Sequence, residues 1–431
     1  MKNTALKATA LTPASRGPAE RPGRSRWWWL LLAFSFAYFG AIAANPTWFS
    51  FFGVSHYSVW FVDSYAILAS NDALAHGLDP YVPNPFDYFR RPHVYSHWWF
   101  TLGKLGLTRQ DNGWLGLTLG GLFLLVAWWS LRPRSAGELG WCAAVLCSPP
   151  VLLALNRANN DLVVFLLLAP VVPILLLRQR SWRIASVLFV AFATGLKFYP
   201  AVASLVLLYG ETRAEIRERG LIALLALSIV GVSVAPDLLG AVKVPSPTGI
   251  LTFGAMNLFE TLGCSNLVGL GLSLVVALLV MTFAWRSTLL KDWTISPAER
   301  GRWMHFVLGA ALLTGCFFTG KNYAYRWVFA LWLAPALWPW MTDPLASRGF
   351  RRFARVTGIL LLFSLWGDAL VSSACNLFAQ HVPLATLTRW TDLFFRWEQP
   401  LSWAFFLCLL FFLTRMLRDL WTTFTTSSSR E

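Results

Sequence analysis

"IASVLFVAFATGLKFYPAVASLVLLY", residues 184–209, decides the fold, and Lys197 is the only charge in it. A lone charge at bilayer depth costs roughly 2.5–3.5 kcal/mol on insertion scales. Both flanks are basic, "RQRSWR" at 178–183 and "ETRAEIRERG" at 211–220. One crossing takes about 20 residues, so the stretch is too short for two, and a single crossing would put the basic flanks on opposite sides. The pattern predicts a hairpin of two short helices with "LKFYP" at its tip. Pro200 opens the second helix, where a missing N–H costs nothing. The free N–H groups and positive dipole end of that half-helix, beside Lys197, predict an anion site reached from outside. Broken helices at this depth line a protein or water cavity. The alternative is a kinked helix whose lysine reaches up to the headgroups.

Working outward, the 431 residues are 56% hydrophobic and 13% charged, with mean hydropathy +0.53. Soluble domains carry about 25% charge, so the chain is a polytopic membrane protein. Apolar spans at 27–44, 113–131, 139–155, 161–177, 220–235, 266–285, 304–318, 327–341, 356–373 and 399–415 join the two hairpin arms. Together they predict an all-α bundle of about twelve transmembrane helices, with a long loop, 45–112, after the first. With the N-terminus inside, the inner segments hold 25 of the 36 Lys/Arg, while acids split 10 inside and 11 outside. That asymmetry obeys the positive-inside rule and predicts an integral cell (inner) membrane protein with both termini cytoplasmic. The net charge of +15 thus reflects topology, and nucleic acid is not an expected partner. Residues 1–26 read as a disordered basic tail ahead of a signal anchor. The membrane domain is 27–415, and 416–431 form a second cytoplasmic tail. The six cysteines lack metal-site spacing. Cys264 and Cys375, both in outer loops, are either a pair or two unrelated thiols.

The outer loop carries the candidate chemistry. Residues 59–76 and 94–107 predict surface helices. Asp63 follows "VWFV", and a carboxylate beside apolar surface tends to a raised pKa suited to a general base. Asp72, Asp79 and Asp87 compete with it, and a helix cap or solvated acid is the plain alternative. Arg90 and Arg91 are candidate phosphate contacts or interfacial anchors. His93 and His97 are four apart but have no third metal ligand nearby. "NRANND" at 156–161 holds Arg157, with Asn160 or Asp161 as a cap for the next helix. "FGAMNLFETLG" at 253–263 carries Asn257 and Glu260, and "GKNYAYRW" at 320–327 carries Lys321, Tyr323 and Arg326. Lys197, Arg157 and Arg326, with Tyr199 beside the lysine, are the candidate ligands of a lipid phosphate. No P-loop, GxGxxG or GxSxG is present, so nucleotide hydrolysis and serine esterase chemistry have no support.

Taken together, the early Asp63, the "GLDPY" turn, "NNDLVVFLLLAP", "ATGLKFYPAVASLVLLY" and "KNYAYRWVFALWLAPAL" resemble the GT-C membrane glycosyltransferases. More narrowly, they resemble glycosyltransferase family 87, the polyprenyl-phosphate-mannose-dependent mannosyltransferases. The likeness runs from Asp63 to Arg326. It implies a polyprenyl-phosphate-linked sugar donor, a glycan or glycolipid acceptor on the extracytoplasmic side, and inversion at the sugar carbon. Asp63 would be the base and Lys197 the lysine near the donor phosphate. Phosphate is a good leaving group, so neither a metal nor another cofactor is expected. A transporter or flippase of a lipid-linked intermediate would use the same cationic cavity without a base.

Overall fold

The computed structural model describes residues 26–177, 179–209, 212–241, 251–289 and 299–426. The predicted tail at 1–26 lies almost wholly outside them, as do residues 427–431. Within them the chain is helical nearly throughout. The one sheet is an antiparallel pair, Thr252–Phe253 with Asn322–Tyr323. Among the described residues, six helices are long and apolar enough to cross a membrane: Arg26–Ala44, Arg109–Leu131, Arg213–Gly240, Asn266–Arg286, Arg348–Phe378 and Leu384–Thr422. A seventh crossing is available if Ala136–Leu146 and Pro149–Arg157, bent by 48°, form one span. Leu221, Leu224, Leu225, Ile229 and Val232 on Arg213–Ala241 are exposed, which suits a helix facing lipid. The chain is an all-α, multi-pass membrane protein.

The other expected crossings are shorter pieces or lie deep in the protein. Residues 161–177 form Asn160–Leu168 and Val171–Leu176, divided at Pro170. Residues 327–341 form a 3-10 helix, Ala324–Trp332, and then Ala334–Thr342. Arg300–Thr319 is unbroken and mostly buried, an inner helix on which Ala324–Trp332, Ala334–Thr342 and Leu384–Thr426 pack. Gly309 and Gly315 on it allow close approach. A Cβ on Gly309 would lie 2.7 Å from the Phe329 carbonyl, and one on Gly315 2.8 Å from Val202. Small residues serve helix packing in lipid in this way, and here they seat the segments that carry Tyr199 and Arg326.

The deciding stretch is broken inside "LKFYP". An α-helix, Arg180–Lys197, ends at Phe198, whose φ of 59° and ψ of −60° lie in a strained region, and a 3-10 helix, Tyr199–Leu208, follows. The first arm, about 27 Å long, exceeds the short half-helix expected. The arms pack on each other and on Arg213–Ala241, and the second also packs on Arg300–Thr319. The C-terminal helix is longer than its expected core at 399–415. It runs Leu384–Thr426, with Pro400 inside, and carries the predicted second tail on as helix through 426. Cys264 and Cys375 are separate thiols.

Candidate functional site

The site forms where three backbone turns meet. Phe61, in the left-handed region at φ 60°, precedes the helix Val62–Ala75, and its N–H donates to the Asn156 carbonyl at 3.1 Å. That anchor brings Asp63, in the first turn, against the end of the helix Pro149–Arg157. The chain then turns through Ala158 at φ 40°, and Asn159 caps the helix Asn160–Leu168 by accepting from Asp161 N–H at 2.9 Å. The cap is therefore Asn159, and neither Asn160 nor Asp161. The third turn is the break at Phe198.

Asp63 is buried and fully bonded. Arg157 grips both oxygens, Nε to Oδ2 at 2.8 Å and Nη2 to Oδ1 at 2.7 Å. Asn159 Nδ2 donates to Oδ2 at 2.6 Å and Arg91 Nη1 to Oδ1 at 3.2 Å. Bidentate guanidinium–carboxylate pairs are among the strongest protein hydrogen bonds. Burial by itself raises the carboxyl pKa. Arg157 first, then Arg91 and Asn159, outweigh that effect and hold it at about 2. The expected raised pKa is thus overturned, because the neighbouring surface is cationic and not merely apolar.

Lys197 is also buried, which excludes the headgroup-reaching alternative. Its Nζ lies 2.6 Å from Asp161 Oδ1 and donates to Asn159 Oδ1 at 3.1 Å. The anion that Lys197 meets here is the protein's own carboxylate. Tyr199 donates to the same Asp161 oxygen at 2.6 Å. Asn159 therefore bridges the two carboxylate clusters, and Lys197 sits 5.5 and 5.2 Å from the Tyr95 and Tyr325 rings. Arg326 is the least satisfied cation. It bonds the Asn322 amide and lies over the Tyr199 ring at 4.6 Å. Its Nε faces Asp161 Oδ2 at 3.9 Å, and neither of these buried atoms has a hydrogen-bond partner.

A cavity of about 390 Å³ opens over this network, lined by Asp63, Arg91, Arg157, Lys197, Lys321 and Arg326, with Tyr323 and Tyr325 among its walls. Asp63 is its only carboxylate among the described residues. Of its rivals, Asp72 pairs with Arg109, Asp79 holds a turn at Tyr81, and Asp87 clamps Arg91. Arg90 and Arg91 part company: Arg91 binds Asp63, whereas Arg90 is exposed and away from the cavity. Tyr199, Asn160 and Asn257 do not line it. Glu260 is outside it, paired with Lys321. His93 reaches the Ser96 carbonyl, and burial pushes its pKa down to about 4. His97 instead bonds Asp237 at 2.7 Å, so the two rings are held by different partners.

Sequence reasoning missed Asp161 as a partner. The signal was available, since a lysine in an apolar run calls for a counter-charge and "NNDL" supplies an acid at the head of another apolar run. It also missed Tyr95, Asn159 and Asn322, which carry no charge to mark them. Comparison of the chain with protein-family models, with curated proteins and with solved structures finds no match.

Proposed function

We propose that the protein is a membrane glycosyltransferase moving a sugar, mannose in the nearest resemblance, from a polyprenyl-phosphate donor to a glycan or glycolipid acceptor. The supporting observation is convergence. Asp63, Arg157, Lys197 and Arg326 come from four separate segments, and all four line one cavity. Its volume of about 390 Å³ is within the range of small-molecule sites. In this reading the shorter helices complete a GT-C-like bundle of about a dozen crossings in the inner membrane, with cytoplasmic termini and an outward-facing cavity.

The chemistry follows from the charges. The acceptor oxygen bonds the anomeric carbon from the face opposite the phosphate, while the bond from that carbon to the phosphate oxygen breaks and leaves its electron pair on phosphate. Arg326 and Lys197, both lining the cavity, stabilise that charge, the kind of preorganised electrostatic contribution that dominates many enzymes. Asp63 takes the hydroxyl proton. With a pKa of about 2 it is a weak base at rest. A bound phosphate competing for Arg157 would loosen the bidentate grip and make the carboxylate more basic.

The test is to incubate the purified full chain with a panel of radiolabelled polyprenyl-phosphate sugars and candidate acceptors. Turnover is expected. Asp63→Asn should stop transfer while polyprenyl-phosphate binding persists, and Lys197→Met should weaken that binding at least ten-fold. The tight pairing of Asp63 favours one rival, a lipid-linked-intermediate flippase in which Asp63 is purely structural. Transport across vesicles that survives Asp63→Asn, with no sugar transfer by the unaltered chain, would establish the rival.

A further inference from the structure

We propose that Asp368 and Glu398 form a proton-binding site, distinct from the cavity, whose occupancy controls the segment carrying Lys321, Tyr323 and Arg326. Asp368 lies on Arg348–Phe378 and Glu398 on Leu384–Thr426. The two carboxyl groups face each other within hydrogen-bonding reach, and both are more than nine-tenths buried. Asp368 Oδ2 accepts the Leu251 N–H at 2.7 Å, whereas Asp368 Oδ1 and Glu398 Oε2 find no donor.

No cation among the described residues pairs with them. On the same helix as Glu398, Arg389, Asp392 and Arg396 are exposed, and Arg415 turns to Asp419. Arg348, Arg351, Arg352 and Arg355 occupy the far end of the Asp368 helix. On the elements packed against these two helices, Glu138 pairs with Arg302, Arg157 with Asp63 and Glu260 with Lys321. His305 bonds the Gly301 carbonyl, Arg300 lies over the Tyr209 ring, and Arg286 is in the last turn of Asn266–Arg286. Two carboxyl groups held this close out of water cannot both ionise. One proton shared between them leaves a monoanion to hold Leu251.

The proton has a route. A crevice of about 300 Å³ is lined by hydroxyl, thiol and amide groups, among them Ser50, Ser55, Ser372, Cys375, Asn376 and Thr391. Ser372 and Cys375 lie about one and two turns beyond Asp368 on one helix face, and Thr391 lies two turns before Glu398. A Cβ on Gly53, another lining residue, would be 2.4 Å from Ser372 Oγ and 3.8 Å from the Asp368 carbonyl. A residue lining the crevice thus packs against the turn that carries Asp368, and the polar walls suit bound water.

The site also has a lever. Leu251 is held at φ 57°, a left-handed conformation that branched side chains avoid. Its carbonyl accepts from Ala324 N–H at 2.8 Å, and Thr252–Phe253 pairs with Asn322–Tyr323. Asp368 therefore holds, through one amide and a two-residue strand, the wall on which Tyr323 and Arg326 stand. Loss of the shared proton creates a dianion, which separates the two helices and releases that wall. The inference is independent of the reaction performed at the cavity.

Infrared difference spectroscopy on the full chain in nanodiscs, titrated from pH 5 to pH 10, tests it. The wild type should show the C=O stretch of a buried protonated carboxyl at neutral pH and lose it as pH rises. Asp368→Asn and Glu398→Gln should both lack the band. Hydrogen exchange should show the protection of the Leu251 and Ala324 amides falling at least ten-fold across the same transition in the wild type, and staying constant in Glu398→Gln. Glutamine keeps a donor for Asp368, so this variant retains the packing if Asp368→Asn fails to fold. A band that persists in Glu398→Gln, or that is absent or insensitive to pH in the wild type, overturns the site. Exchange indifferent to the transition overturns the coupling.

Discussion

Replacing Arg157 with methionine removes two of the four hydrogen bonds that Asp63 receives, together with the foremost cation acting on it. Asp63 is ionised although buried, and its pKa stands at about 2 against an ordinary 3.8. At about 1.4 kcal/mol per decade, the surroundings favour the carboxylate over water by on the order of 2 kcal/mol, after a desolvation cost of several kcal/mol has been offset. Breaking one side of a buried pair costs about 3–5 kcal/mol because the remaining charge is stranded. Arg91, still 3.2 Å from the carboxylate, and Asn159 place Arg157→Met near the lower end, about 3 kcal/mol. Asp63→Asn strands Arg157 in turn and costs a similar amount. In the double variant neither charge is left without its partner, so its loss should fall short of the sum by about 2 kcal/mol or more. Reversible unfolding in mixed micelles, run as a double-mutant cycle, measures this. Losses that add to within about 0.5 kcal/mol would refute the claim that the two side chains form one electrostatic unit.

The same pair fixes an acid response. Because the folded-state pKa of Asp63 lies below the ordinary value, its stabilisation is complete above about pH 4 and is lost as pH falls through about 2. Between pH 5 and pH 2 the wild type should therefore lose about 2 kcal/mol more than Asp63→Asn; equal losses would contradict it. Gly195 is where the outer loop docks on the broken helix, and a Cβ there would lie 2.1 Å from Trp98 Cζ3, whose indole N–H reaches Ser233 at 3.2 Å. A rigid ring anchored this way gives little, so Gly195→Ala should cost about 1–3 kcal/mol in the same unfolding measurement; a neutral result would show that the loop docks elsewhere.

Much of the protein was legible in its sequence. The apolar runs and basic flanks determined a multi-pass helical bundle, because the bilayer acts on every residue and its preference is written locally in hydropathy. The break within "LKFYP" was legible for a related reason: a charge and a proline at such depth leave the backbone few continuations. Four of the charges that meet at the cavity were visible too, Asp63 and Lys197 as ionisable groups beside apolar residues and Arg157 and Arg326 within polar outer turns. Their pairing was not visible. Whether Asp63 is basic or locked depends on Arg157, 94 positions away, and whether Lys197 awaits an anion or already holds one depends on Asp161. The facing of Asp368 and Glu398, on two long helices, was equally hidden. Hydropathy is a property of single residues and survives in the sequence, whereas a pKa, a salt bridge or a shared proton belongs to distances between residues, and only the tertiary structure sets those.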